Sequence, residues 1–129
     1  MVEPLERVLG GTDVVTLARV IGATNYLFTF LGVSSLEELD TPEQLEYRAN
    51  IDMLELMDAG DAPIYTENFE TGFDDLLDLF LHHALHAIAI KERADEVGLE
   101  SVGYSRDPAW PLEDPSGEDV VSFLMRHIM

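Results

Sequence analysis

The chain has 129 residues, of which 47% are hydrophobic and 26% are charged, so it is long enough for one domain with a core and too short for two. It contains 26 Asp and Glu residues against 7 Lys and Arg residues, a formal net charge of -19. Cysteine is absent, which excludes disulfides, thiolate metal sites and cysteine nucleophiles.

The negative charge indicates the environment of the source organism and says little about what the protein binds. Self-repulsion of this size opposes a compact state in dilute buffer and is relieved by concentrated salt, so the composition is typical of a halophile. The first ten residues include three charged side chains and lack the apolar core of a signal peptide. We therefore expect a cytoplasmic or particle-associated protein.

Start and stop signals predict helices in the first half of the chain. A short helix fits residues 3–9, and a longer one, capped by Thr12 or Asp13, is predicted to run to about Leu31. Capping-box spacing at residues 35–38 predicts a short turn. Thr41, Pro42 and Gln44 then predict the start of a helix that ends near Asp58.

The second half combines one long helix with irregular segments. Residues 60–71 are predicted to form a loop, in which a short strand fits residues 64–66. Thr71 is expected to cap the longest helix, residues 73–97, which Gly98 ends. An extended arm with three prolines and Trp110 follows, and the last helix reaches the end of the chain.

Together these elements predict an all-α fold. About four main helices would form a single-domain bundle or orthogonal array, with the Pro- and Trp-containing arm before the C-terminal helix. We expect a helical body at residues 1–99, an arm or strap at 100–117 and the C-terminal helix at 118–129.

Three of the four histidines lie in the predicted long helix, in the stretch FLHHALHAIAIKER. Residues four apart lie above one another on a helix, so Asp78, His82 and His86 would form one stripe that could bind a divalent metal. The alternative is that the stripe borders the core and hydrogen-bonds there, as buried polar groups must. No second ligand motif is present, and the core interpretation is favoured, with no cofactor expected.

Residues 14–33 contain a single charged side chain, Arg19, in a long apolar stretch. A membrane span is disfavoured because an Arg near the middle of a span costs roughly 2.5–3.5 kcal/mol. Two apolar faces instead suggest burial from two sides, the second against another subunit.

The same stretch allows a DNA-binding interpretation, because LARVIGATNYLFTFL resembles a helix-turn-helix core. The chain would then break at Gly22, and the following helix would lie in a major groove. The candidate DNA-contacting residues are Arg19, Thr24, Asn25 and Thr29. The proposed recognition helix carries no Lys or Arg for phosphate or guanine, so nucleic acid is not the favoured partner.

No phosphate loop, dinucleotide fingerprint, EF-hand or nucleophile elbow occurs, so no catalytic residues are predicted. The leading hypothesis is a non-enzymatic assembly or adaptor subunit of a larger complex, homo- or hetero-oligomeric, with a structural component of a virus-like particle as one form. The alternatives are a helix-turn-helix regulator and a His/Asp metal-binding protein. The candidate interface residues are Tyr26, Phe30, Tyr104, Trp110, Phe123 and Met125.

Overall fold

The computed structural model describes Arg19, Gly22 and residues 24–129. This part of the chain contains short helices and one pair of strands. The elements in order are α1 (Thr24–Leu31), a 3-10 helix (Glu37–Asp40), α2 (Pro42–Ile51), α3 (Met53–Leu56), β1 (Ile64–Asn68), α4 (Leu76–His82), α5 (Leu85–Val97), β2 (Ser101–Ser105) and α6 (Val120–Ile128).

The prediction of an all-α fold is wrong, because β1 and β2 form a parallel two-stranded sheet. Ile64 pairs with Ser101, and the register continues to the pair of Asn68 with Ser105. The short strand expected at residues 64–66 is present as β1. Its partner β2 lies in the segment that was predicted to be an irregular arm, so the domain is mixed α/β and not a four-helix bundle.

Parallel strands cannot be joined by a tight turn, so the chain crosses back over the sheet through α4 and α5. The predicted single helix over residues 73–97 is wrong, because the crossover contains two helices. It is interrupted at His83, whose ψ of 138° is extended, and Asp75 instead of Thr71 caps its first part. The end of α5 is as predicted, with Gly98 in the left-handed conformation at φ 76°.

Helix α2 begins as the sequence predicts and ends earlier. The Thr41 hydroxyl accepts a hydrogen bond from the Gln44 N–H at 3.4 Å, with Pro42 in the first turn. The helix stops at Ile51 because Asp52 takes an extended ψ of 97° and caps the one-turn helix α3 with its own carboxylate. One helix from Pro42 to Asp58 is thus replaced by two.

The predicted helix over residues 12–31 is not continuous. Gly22 forms a turn with φ 71°, its N–H donating to the Arg19 carbonyl at 3.3 Å, and α1 starts at Thr24. The other residues up to 23, which include the predicted helix at residues 3–9, lie outside the described part of the chain.

The described residues include two separate apolar clusters. One joins α3 to the crossover through Leu54, Met57, Ala94 and Leu99. The other is small and lies around the 3-10 helix, with Leu31, Val33 and Leu39. No described helix is both long enough and apolar enough to cross a membrane.

Replacing Gly98 with Ala tests the turn that feeds β2. The left-handed conformation costs an L-residue roughly 1–2 kcal/mol, so Gly98→Ala should lower the free energy of unfolding by about that amount. Gly72→Ala is the matched control, because Gly72 has ordinary φ and open space around it. Equal urea midpoints for the two variants would contradict the assigned geometry.

Candidate protein-interaction site

Helix α6 is held on the sheet by an aromatic cluster. The Phe123 side chain is only 4% exposed, and its ring centroid lies 5.4 Å from that of Tyr65 and 4.7 Å from that of His127. Tyr104 in β2 lies 6.0 Å from Tyr65 and donates its hydroxyl hydrogen to the Glu118 carbonyl at 2.9 Å. The cluster therefore anchors both α6 and the residue before its cap.

Arg126 fixes the rotation of α6 about its axis. Its guanidinium donates to both Glu118 carboxylate oxygens, at 3.0 and 2.8 Å, and also to Glu100 immediately before β2. These bonds lower the pKa of both carboxyl groups and raise the pKa of Arg126. A guanidinium that binds two carboxylates can rotate little, so the face of α6 that carries Arg126 stays against the body.

The opposite face of α6 is apolar and exposed. Successive helical residues turn by about 100°, so Val120, Leu124 and Ile128 lie along one line and Val121 and Met125 along the next. We call these five side chains the α6 apolar face. Their exposed fractions run from 41% at Val120 to 77% at Ile128. No acidic residue interrupts the helix, although the chain has a net charge of -19.

The segment before α6 folds onto its own domain. Ser105 and Leu112 form an antiparallel bridge, which brings the intervening loop back over the end of β2. The Trp110 ring meets His83 edge-on, with centroids 6.0 Å apart, and His83 stacks on Phe73 at 6.1 Å. The arm is therefore a strap, and Trp110 keeps 37% of its surface exposed.

His83 is the buried member of the histidine stretch, with 5% of its surface exposed. Its Nδ1 accepts the Leu85 N–H at 3.1 Å, which satisfies a free amide at the start of α5. Burial lowers the pKa of His83 below the usual 6.5, and the nearby Asp107 opposes this only in part. The neutral ring thus serves as a core side chain between Phe73 and Trp110.

The structure divides the predicted metal stripe between two helices. Asp78 and His82 remain one turn apart on α4, with His82 Nδ1 2.7 Å from Asp78 Oδ1, whereas His86 is on α5. The hydrogen bond from the Asp74 N–H and the contact with His82 lower the pKa of Asp78. Among the described residues, no three His, Asp or Glu side chains form a group that could hold a metal ion.

His82 and His86 line an open cleft of about 360 Å³ at the carboxyl end of β1, together with residues 67–70 and Leu81. Ligands of open α/β sheets commonly bind at this edge. Here the Asn68 side-chain amide is already hydrogen-bonded, donating to the His82 carbonyl at 2.9 Å and accepting from the Glu70 N–H at 3.0 Å. The cleft lining contains no serine, threonine or cysteine nucleophile.

The remaining predicted residues lie on or near α1. Tyr26 and Phe30 are 63% and 70% exposed, and Asn25 and Thr29 are exposed beside them. Thr24 is partly buried, and the Thr29 hydroxyl donates to the Asn25 carbonyl at 2.9 Å. Arg19 is exposed on the other side of the Gly22 turn.

The structure brings the six candidate interface residues to four different places. Tyr26 and Phe30 lie on α1, Trp110 lies in the strap, and Met125 lies on the α6 apolar face. Phe123 and Tyr104 point into the aromatic cluster instead of outwards. The sequence interpretation missed the four other members of the α6 apolar face. Their signal was the repeat of apolar residues four apart in a segment without acidic residues.

The chain matches no protein-family model, no curated protein sequence and no solved structure.

The pH dependence of stability tests the burial of His83 between Phe73 and Trp110. Below pH 6.5 the unfolded chain binds a proton that the buried ring does not, so stability should fall as the pH falls through the range below 6.5. In molar salt, urea midpoints measured between about pH 8 and about pH 5.5 should decline less in His83→Asn than in the wild type. Identical slopes would show that His83 is not buried in the neutral form.

Proposed function

We propose that this chain is a non-enzymatic assembly or adaptor subunit of a halophile and that it docks on protein partners through the α6 apolar face. The observation that carries the proposal is the continuous exposure of these five side chains on a helix whose other face is fixed to the body. Contiguous apolar surface of this kind marks interaction sites, whereas scattered apolar residues do not.

The energy available supports docking. The five residues of the α6 apolar face keep between 41% and 77% of their surface exposed, so covering that surface stabilises a complex by roughly 1 kcal/mol per side chain. Association itself costs about 4–15 kcal/mol. The five side chains therefore favour a partner that contributes apolar surface of its own, as in helix-in-groove recognition.

A lipid surface is a poorer partner for the same helix. Helices that lie in a membrane interface carry Lys and Arg on the polar face for anionic headgroups. The polar face of α6 offers Arg126, whose guanidinium is bound by Glu118 and Glu100, and the chain has a net charge of -19. Protein is the partner class that fits both the apolar face and the charge.

Photo-crosslinking in the native cells tests the proposal. With benzoylphenylalanine in place of Leu124, we expect one or a few discrete protein adducts that mass spectrometry can identify. The same residue in place of Glu96, which is exposed on α5, is the control and should give none. If position 124 gives no discrete adduct while the chain accumulates in folded form, or if its adducts are lipids, protein docking by α6 is excluded.

A helix-turn-helix regulator is the second candidate, favoured by the turn at Gly22 and the exposed side chains of α1. Against it, α1 carries no basic residue in its last turn and no charged residue anywhere. Fluorescence anisotropy with random duplex DNA, at the lowest KCl concentration at which the chain stays folded, should show no binding. Micromolar affinity that falls with salt and is lost in Arg19→Ala would favour this alternative.

A further inference from the structure

We infer that a second copy of this chain occupies the α6 apolar face, with the two α6 helices paired antiparallel about a two-fold axis near Leu124. The inference rests on the proposed function and names the partner of the same surface. A symmetric pair places one patch against itself, so the face must be self-complementary. Three features of the chain fit this requirement. They are the order of side-chain sizes along the face, the polarity of the helix and the acidity of the other surfaces.

Side-chain size changes along the face. The small Val120 and Val121 lie at its amino end, and the longer Met125 and Ile128 lie at its carboxyl end. In an antiparallel pair, the small end of one helix meets the large end of the other, so the two axes can stay evenly separated. A parallel pair would place large against large and small against small, which leaves a gap at one end.

Helix polarity favours the same direction. Arg126 is bound by Glu118 and Glu100 of its own chain, so it contributes no free charge to the pair. Antiparallel pairing places the positive end of one helix dipole beside the negative end of the other. Parallel pairing would place like dipole ends side by side.

Repulsion between two acidic chains also favours this surface. Each copy carries a net charge of -19, so contact at most faces places carboxylates against carboxylates. Helix α2 exposes Glu43 and Glu46, and α5 exposes Asp95 and Glu96, whereas α6 contains no acidic residue. A second copy therefore meets less repulsion at α6 than at α2 or α5.

The size of the face sets the strength of the pair. A helix of nine residues is about 13 Å long, and its face is smaller than the roughly 800 Å² per partner of a standard interface. The dimer should therefore dissociate on dilution. Because salt screens the remaining repulsion, we expect the dimer fraction to rise between about 0.2 M and about 2 M KCl.

Engineered cysteines test the pairing, because the chain has none of its own. In molar salt with a mild oxidant, Leu124→Cys should form a disulfide-linked dimer, and Val120→Cys mixed with Ile128→Cys should form a mixed one. Neither end variant should link to itself, because the two copies of each end position lie about 12 Å apart, beyond disulfide reach. Glu96→Cys gives the background, which Leu124→Cys should exceed about tenfold.

Each outcome decides one claim. Self-linking of Val120→Cys and of Ile128→Cys would overturn the antiparallel arrangement. Linking at the background level, with a light-scattering mass of 14.4 kDa in molar salt, would overturn self-pairing. The proposed function would then depend on whether crosslinking in native cells finds a protein of another sequence. Leu124→Asp and Val121→Asp should each abolish the dimer, and circular dichroism should show that both remain folded, since both positions are exposed.

Discussion

The parallel pairing of β1 with β2 is the constraint on which the rest of the described structure depends. It requires a crossover, which α4 and α5 provide, and the turn at Gly98 then delivers the chain to β2. The crossover also places Glu100 at the start of β2, where its carboxylate receives the Arg126 guanidinium. A local pairing of five residues on each strand thus determines where α6 is anchored.

Anchoring of α6 explains why an apolar face is exposed on an acidic protein. Phe123 packs in the aromatic cluster, and Arg126 binds the carboxylates of Glu100 and Glu118. The helix therefore cannot turn its apolar face inwards without losing these contacts. Water-exposed Val, Leu, Met and Ile side chains in one stripe are unfavourable for an isolated chain. A partner that covers them removes this cost, and in concentrated salt the repulsion between two acidic chains no longer prevents their contact.

Local signals predicted local structure well and non-local structure poorly. The Thr41 cap and the Gly98 turn each depend on a few adjacent residues, and both are present. Strand β2 pairs with residues far away in sequence, and its segment resembled an arm because of its prolines. The periodicity of residues 73–97 could not reveal the interruption at His83, which follows from packing. The α6 apolar face was readable from spacing, but only the structure shows that Phe123 points inwards and its neighbours outwards.

Amide hydrogen exchange along α6 tests the central claim most directly. A nine-residue helix is marginal alone, so its protection should depend strongly on what covers it. In molar salt, we expect the amides of residues 121–128 to exchange more slowly at millimolar than at micromolar protein concentration, while those of α5 remain unchanged. Equal exchange of the α6 amides at both concentrations would contradict the account.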